Sequence, residues 1–191
     1  MNNKIILTTV AVLVIGLLGG YLITSSLNNT SSDTIKKINK ANCLADECLA
    51  IDNLDYPAGT LSNEAKEALI EAINDEYKAH SLYEKTIEKI GFVRPFSMII
   101  RAEEQHISSL KALFDKYEIQ IPKDDWADKV SAEGTLKQAC QAGVDAEIAN
   151  AKLYKEKLLP MVSSYEDIMT VFTNLMNASQ EKHLKAFEGC N

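Results

Sequence analysis

The chain has 191 residues, enough for one domain and an appendage. It carries 20 Lys+Arg against 27 Asp+Glu, a formal charge of −7. That balance argues against nucleic acid as a partner, which needs a clustered basic face. Gly (8) and Pro (4) are scarce, which favours helices, and with only 3 His the position of each one is informative.

Residues 5–23 form an apolar run broken only by Thr8, Thr9 and three glycines. A span of roughly 20 apolar residues is enough to cross a bilayer. A signal segment is shorter, about 7–15 apolar residues, and ends at a small-residue cleavage site. No clear Ala-x-Ala follows this run, so an uncleaved anchor is favoured over a cleaved signal. Lys4 precedes the run and no positive charge follows until Lys36, which places the body outside the cytoplasm. That signal is weakened by Lys36, Lys37 and Lys40, which still fall within the counted range. The domains are then an anchor or signal at 1–24, a Ser/Asn/Thr-rich linker at 25–57 holding Cys43 and Cys48, and a helical domain at 58–191. The expected location is membrane-anchored and facing outwards, or secreted if the segment is cut.

Helix 1 is predicted from the N-cap Ser62 to residue 90, ending at Gly91. Its apolar stripe runs through Leu69, Ala72 and Ile73 and is interrupted by Glu76 and His80. Helix 2 opens with Pro95 in its first turn and ends near Tyr117. Its stripe of Phe96, Ile99, Ile100, Ile107 and Leu110 passes over Glu103 and His106. Residues 118–131, with Pro122 and Trp126, are long for a turn between neighbouring helices and long enough to cross a bundle. Helix 3 is predicted over 132–159, with Glu147 and Tyr154 on its stripe, and helix 4 over 165–188, with Ser179 and His183.

Every long helix thus carries a metal-competent break near its middle. Burying an unpaired carboxylate costs several kcal/mol or forces it neutral, so four such breaks at one depth point to a shared polar centre. The arrangement resembles the di-metal carboxylate bundle, in which two helices give one Glu each and two give a Glu-x-x-His pair. Glu76, Glu103, His106, Glu147 and His183 fill five of those six roles. The sixth should be a Glu three residues before His183, where this chain has Gln180; Glu181 points about 100° away. Carboxylate and imidazole donors suit iron, manganese or zinc, one or two ions. The alternative is a metal-free network of buried Glu–His hydrogen bonds. Gln180 offers only a neutral carbonyl oxygen. His80 reads as a core histidine or a partner to a ligand, and it is also positioned to replace the missing group. Tyr83 and Tyr154 read as core aromatics, with a hydrogen bond to a ligand as the alternative.

The chain resembles the ferritin-like family known as domain of unknown function 2202. The match covers about residues 56–187. It rests on Leu61-Ser62 after a proline, the Glu76…Tyr83 helix, Phe96-Ser97 leading into Glu103-x-x-His106, and the close His183-Leu184-Lys185-Ala186-Phe187. The resemblance implies an all-α, ferritin-like four-helix bundle with a crossover between helices 2 and 3. It supplies no activity. In such a crossover bundle Cys140 and Cys190 would be neighbours and Cys43 and Cys48 would pair locally. In a simple up-down bundle all four cysteines would gather at one end, and free buried thiols are the third option.

The expected function is an exported or anchored metal-binding bundle, with iron or a similar ion in its core and oxygen- or peroxide-linked redox activity. The alternatives are a metal-binding module without turnover and a purely structural or interaction bundle. The expected partners are the metal ion and, through the N-terminal segment, a membrane; a homo-oligomer is compatible with the fold.

Overall fold

The computed structural model describes residues 59–190. The N-terminal apolar run, the linker, Cys43 and Cys48 lie outside the described residues. Within them the protein is all-helical, with four long helices: α1 (Asn63–Ile90), α2 (Phe96–Lys116), α3 (Leu136–Leu153) and α4 (Glu166–Ala178). No helix among the described residues is long and apolar enough to cross a membrane. Both later helices run on through a widened π-turn. α3 continues through Tyr154–Leu158 into Leu159–Met161, and α4 through Ser179–His183 into Leu184–Glu188.

The helix ends follow local chemistry. Ser62 Oγ accepts from the Ala65 N–H at 3.1 Å, satisfying one of the orphan donors of α1. Gly91, at φ 107°, closes the other end and donates to Ile87 O. α2 ends with Glu118 at φ 53°. The Ile119 N–H reaches Phe114 O and the Glu118 N–H reaches Asp115 O, the paired bonds of a Schellman cap. α3 starts four residues later than its stripe predicts. Thr135 is the cap, accepting from the Gln138 N–H at 3.3 Å, and Ser131 and Gly134 leave the preceding segment non-helical.

Contacts at the two ends fix the helix directions. At one end Ser62 N–H donates to the Tyr165 hydroxyl at 2.8 Å. There too Asp167, at the start of α4, accepts from Lys116 and Tyr117, each at 2.9 Å. At the other end Lys89 Nζ donates to Ala132 O at 2.8 Å, and Cys140 is disulfide-bonded to Cys190. α2 and α3 therefore point the same way, and residues 117–135 travel the length of the bundle. Trp126 lies along that path, its Nε1 donating to Asn74 Oδ1 of α1 at 3.2 Å. The disulfide joins residues 50 apart; in the chain-entropy account that is worth about 4 kcal/mol.

The core is two apolar clusters. One, around Leu69, Ile73, Leu110, Phe114, Leu158 and Phe172, fills the end where α1 begins. The other, around Tyr83, Phe96, Ile99, Cys140 and Phe187, fills the opposite end. Gly143 is what lets Phe187 seat there, since a Cβ at 143 would lie 2.6 Å from its ring. Between the clusters lies a layer of buried charge.

Candidate metal centre

Glu76 on α1, Glu103 and His106 on α2, Glu147 on α3 and His183 on the π-turn after α4 are all buried, none more than 4% exposed. They converge. His106 Nδ1 lies 3.1 Å from Glu76 Oε2 and 3.2 Å from Glu103 Oε2. His183 Nδ1 lies 3.2 Å from Glu103 Oε1 and 3.5 Å from Glu147 Oε2. The two imidazoles stack with centroids 5.4 Å apart. Glu103 is thus the shared member, with one oxygen for each histidine.

The outer oxygens of the other two carboxylates are held by crossed tyrosines. Tyr83 of α1 donates to Glu147 Oε1 of α3 at 2.6 Å, and Tyr154, after α3, donates to Glu76 Oε1 at 3.0 Å. Each tyrosine lies seven residues after the glutamate on its own strand of chain, two helical turns further along the same face. Both are core aromatics and hydrogen-bond partners of the centre. Seven-residue Glu–Tyr spacing, present in both halves of the chain, is the signal that shows the second role.

The charges set each other. Burial and the Glu103 charge push Glu76 up to about 8. Burial also penalises a charged Glu103, but hydrogen bonds from His106 and His183 outweigh it and hold that carboxyl well below the usual range. Burial opposes protonation of His106, yet Glu103 and Glu76 raise it to about 10. His183, likewise opposed by burial and supported by Glu103 and Glu147, rises to about 9. Burial and the neighbouring carboxylates push both tyrosines far up, so they remain hydrogen-bond donors.

Two donor sets form: Glu76–Glu103–His106 and Glu103–Glu147–His183, with the ligand atoms of each set within 4.8 Å of one another. Carboxylate oxygen with imidazole nitrogen is a donor set that fits a divalent transition metal. His106 Nε2 is buried without a hydrogen-bond partner among the described residues. Ligating histidines more usually anchor that second nitrogen.

Two residues stand elsewhere than the sequence suggests. Gln180 is exposed, so it takes no part in the centre. The π-turn spreads one turn over more residues, which swings position 180 away and leaves Ser179 buried, lining the same space as Glu103 and Glu147. His80 sits on the outer flank, its Nε2 3.9 Å from the exposed Glu104, and belongs to neither donor set. It does not replace the missing group. Asp75, Asn150 and Ser179, given no role by spacing alone, form a polar chain beside the centre. Asn150 Nδ2 donates to Asp75 Oδ2 at 2.8 Å, and Ser179 Oγ donates to Asn150 Oδ1 at 2.6 Å.

Fold and site together define a helical bundle with a buried carboxylate–imidazole centre. No family model matches the chain. The uncharacterized protein MJ0754 of Methanocaldococcus jannaschii is 30% identical over 145 residues, 69% of this chain and 77% of that protein. The chain belongs to the same family as MJ0754. A solved structure, the hypothetical protein MJ0754 from Methanococcus jannaschii, superposes with a TM-score of 0.60 at 24% identity, covering 72% of this chain and 88% of that one. It shares the fold.

Proposed function

We propose that this chain is a ferritin-like metal-binding protein, exported or membrane-anchored, with iron or a similar ion (manganese, zinc) in the bundle core. The observation that carries the reading is Glu103, whose two oxygens face the Nδ1 atoms of two different histidines, each of which also faces a second carboxylate. That is the layout of two three-donor groups sharing one carboxylate, each of which would suit a divalent ion. The parallel run of α2 and α3, with a long crossover between them, supports the ferritin-like assignment. The Cys140–Cys190 bond supports an oxidising compartment.

Glu76, Glu103 and Glu147 would offset the charge of the ion, and His106 and His183 would complete its donor set. Tyr83 and Tyr154 occupy the outer carboxylate oxygens, so the inner ones are aimed at the centre. The flanking apolar clusters close the centre off from the two ends of the bundle. A bound iron would supply an electron donor and a Lewis acid for oxygen or peroxide chemistry. A second reading, metal binding without turnover, is favoured by one observation: the last helix contributes His183 but no carboxylate to either donor set, and the residue it buries one turn earlier is Ser179. Metal-free protein titrated anaerobically with ferrous ion should take up about one to two ions per chain, as such bundles do. No uptake overturns both readings and leaves a structural bundle. Uptake without oxidation on admitting air selects the second.

A further inference from the structure

On the metal-centre reading Glu147 and His183 must stay together, and a ladder of contacts between α3 and the last helical segment holds them. At its foot Cys140 is bonded to Cys190. Three residues on along α3 and three back from Cys190, Gly143 receives the Phe187 ring so closely that a Cβ at 143 would lie 2.6 Å from it. Four more residues in each direction, Glu147 Oε2 lies 3.5 Å from His183 Nδ1. Beyond that pair Ser179 Oγ donates to Asn150 Oδ1 at 2.6 Å. The disulfide therefore stands about two helical turns from Glu147, on the same face of α3.

Little else holds this end of the chain. Among residues 184–190 only Phe187 is buried, and Lys185, Ala186, Glu188 and Gly189 are exposed. A chain end stays ordered when it is tied down, and a segment with few buried contacts opens locally at low free energy. The other donor set, Glu76, Glu103 and His106, is carried wholly by α1 and α2, which the disulfide does not join. The bond is also within reach of solvent. Cys140 is buried but Cys190 is only half-buried, and both line a surface hollow of about 590 Å³ together with Lys137, Gln141 and Glu188.

Resting on the metal-centre reading, we propose that Cys140 and Cys190 are positioning residues for the Glu103–Glu147–His183 set, and that their bond is a redox clamp on it. A small thiolate attacks Cys190 Sγ, the Cys140–Cys190 bond breaks, and Cys140 leaves as a thiolate that takes up a proton. A second small thiolate attacks the small-molecule sulfur of the mixed disulfide and releases Cys190, which is protonated in turn. Two electrons pass to the protein and the two small thiols leave as their own disulfide. With the bond open the chain end frays back through Phe187 towards the Ser179–Asn150 contact, and His183 leaves the centre. Metal in this set then depends on the thiol state of the surroundings, and metal in the other set does not.

The test uses the full chain carrying Cys43→Ser and Cys48→Ser, oxidised or reduced with a phosphine, with free thiols counted to establish that the bond is open. Cobalt(II) affinity is measured by visible titration and cobalt content by elemental analysis. In His106→Ala, which leaves the clamped set, opening the bond should weaken cobalt binding about tenfold or more, the effect of losing a group that orients a ligand. In His183→Ala, which leaves the other set, opening the bond should leave cobalt binding unchanged. Cys140→Ser/Cys190→Ser supplies the open state should the bond resist the phosphine. Equal weakening in the two histidine variants, no weakening in His106→Ala, or no cobalt in oxidised His106→Ala while the parent chain holds it, overturns the clamp and leaves the metal centre standing. Failure of the oxidised parent chain to take up cobalt overturns the metal reading itself, and the clamp with it.

Discussion

The Tyr83 hydroxyl donates to Glu147 Oε1 across 2.6 Å, joining two helices through a phenol and a carboxylate that are both fully enclosed. Removing the donor strands a buried carboxylate oxygen, which costs about 1–3 kcal/mol. Tyr83→Phe should lower stability by about that amount in denaturant unfolding of the metal-free protein. Tyr154→Phe should cost less, about 1 kcal/mol, because its partner Glu76 is held neutral by burial at neutral pH. Equal losses would mean that burial does not hold Glu76 neutral.

Glu103 and Glu147 should differ in what they control. Glu103 offers an oxygen to each half-site, whereas Glu147 serves one. Glu103→Gln is expected to abolish metal uptake at both, leaving less than about a tenth of wild-type content. Glu147→Gln should keep roughly the half held by Glu76, Glu103 and His106. Elemental analysis after reconstitution decides between them; if Glu147→Gln is the more damaging, the shared-carboxylate layout is wrong.

Acidity should act in opposite directions on the metal-free and loaded forms. His106, at about 10, and His183, at about 9, lie above their ordinary value, and Glu76, at about 8, lies above its own. A group raised in the folded state contributes stability that is complete below its unfolded pKa and is lost as pH rises through the folded one. Glu103, lowered, loses its contribution only when pH falls through its depressed folded value. Between pH 6.5 and about 10 the metal-free protein should therefore become steadily less stable. A metal must displace those same protons, so its apparent affinity should climb over the same interval. Thermal melts and metal titrations at pH 6.5, 7.5 and 8.5 test both slopes; a metal affinity that falls with pH would contradict the assignment.

Restoring a carboxylate should work at one position and fail at its neighbour. Ser179 is buried against the cavity beside Glu103 and Glu147, while Gln180 is exposed. Ser179→Glu should raise bound divalent metal towards two ions per chain, and Gln180→Glu should leave it unchanged. The opposite ranking would show that the last helix is an ordinary α-helix through His183.

The helices are legible in the residue order, because apolar spacing, Ser62, Gly91 and the scarcity of other breakers act within a few residues of one another. That order also determined that Glu76, Glu103, His106, Glu147 and His183 face inwards, since the stripe that sets the core passes through them. Tertiary structure alone decided that Glu103 is shared, that the tyrosines cross over, and that position 179 rather than 180 faces the centre. Those depend on which helices lie side by side and on one widened turn. A π-turn leaves no residue-type signature, and helix spacing says which side of a rod a group occupies but not what stands across from it.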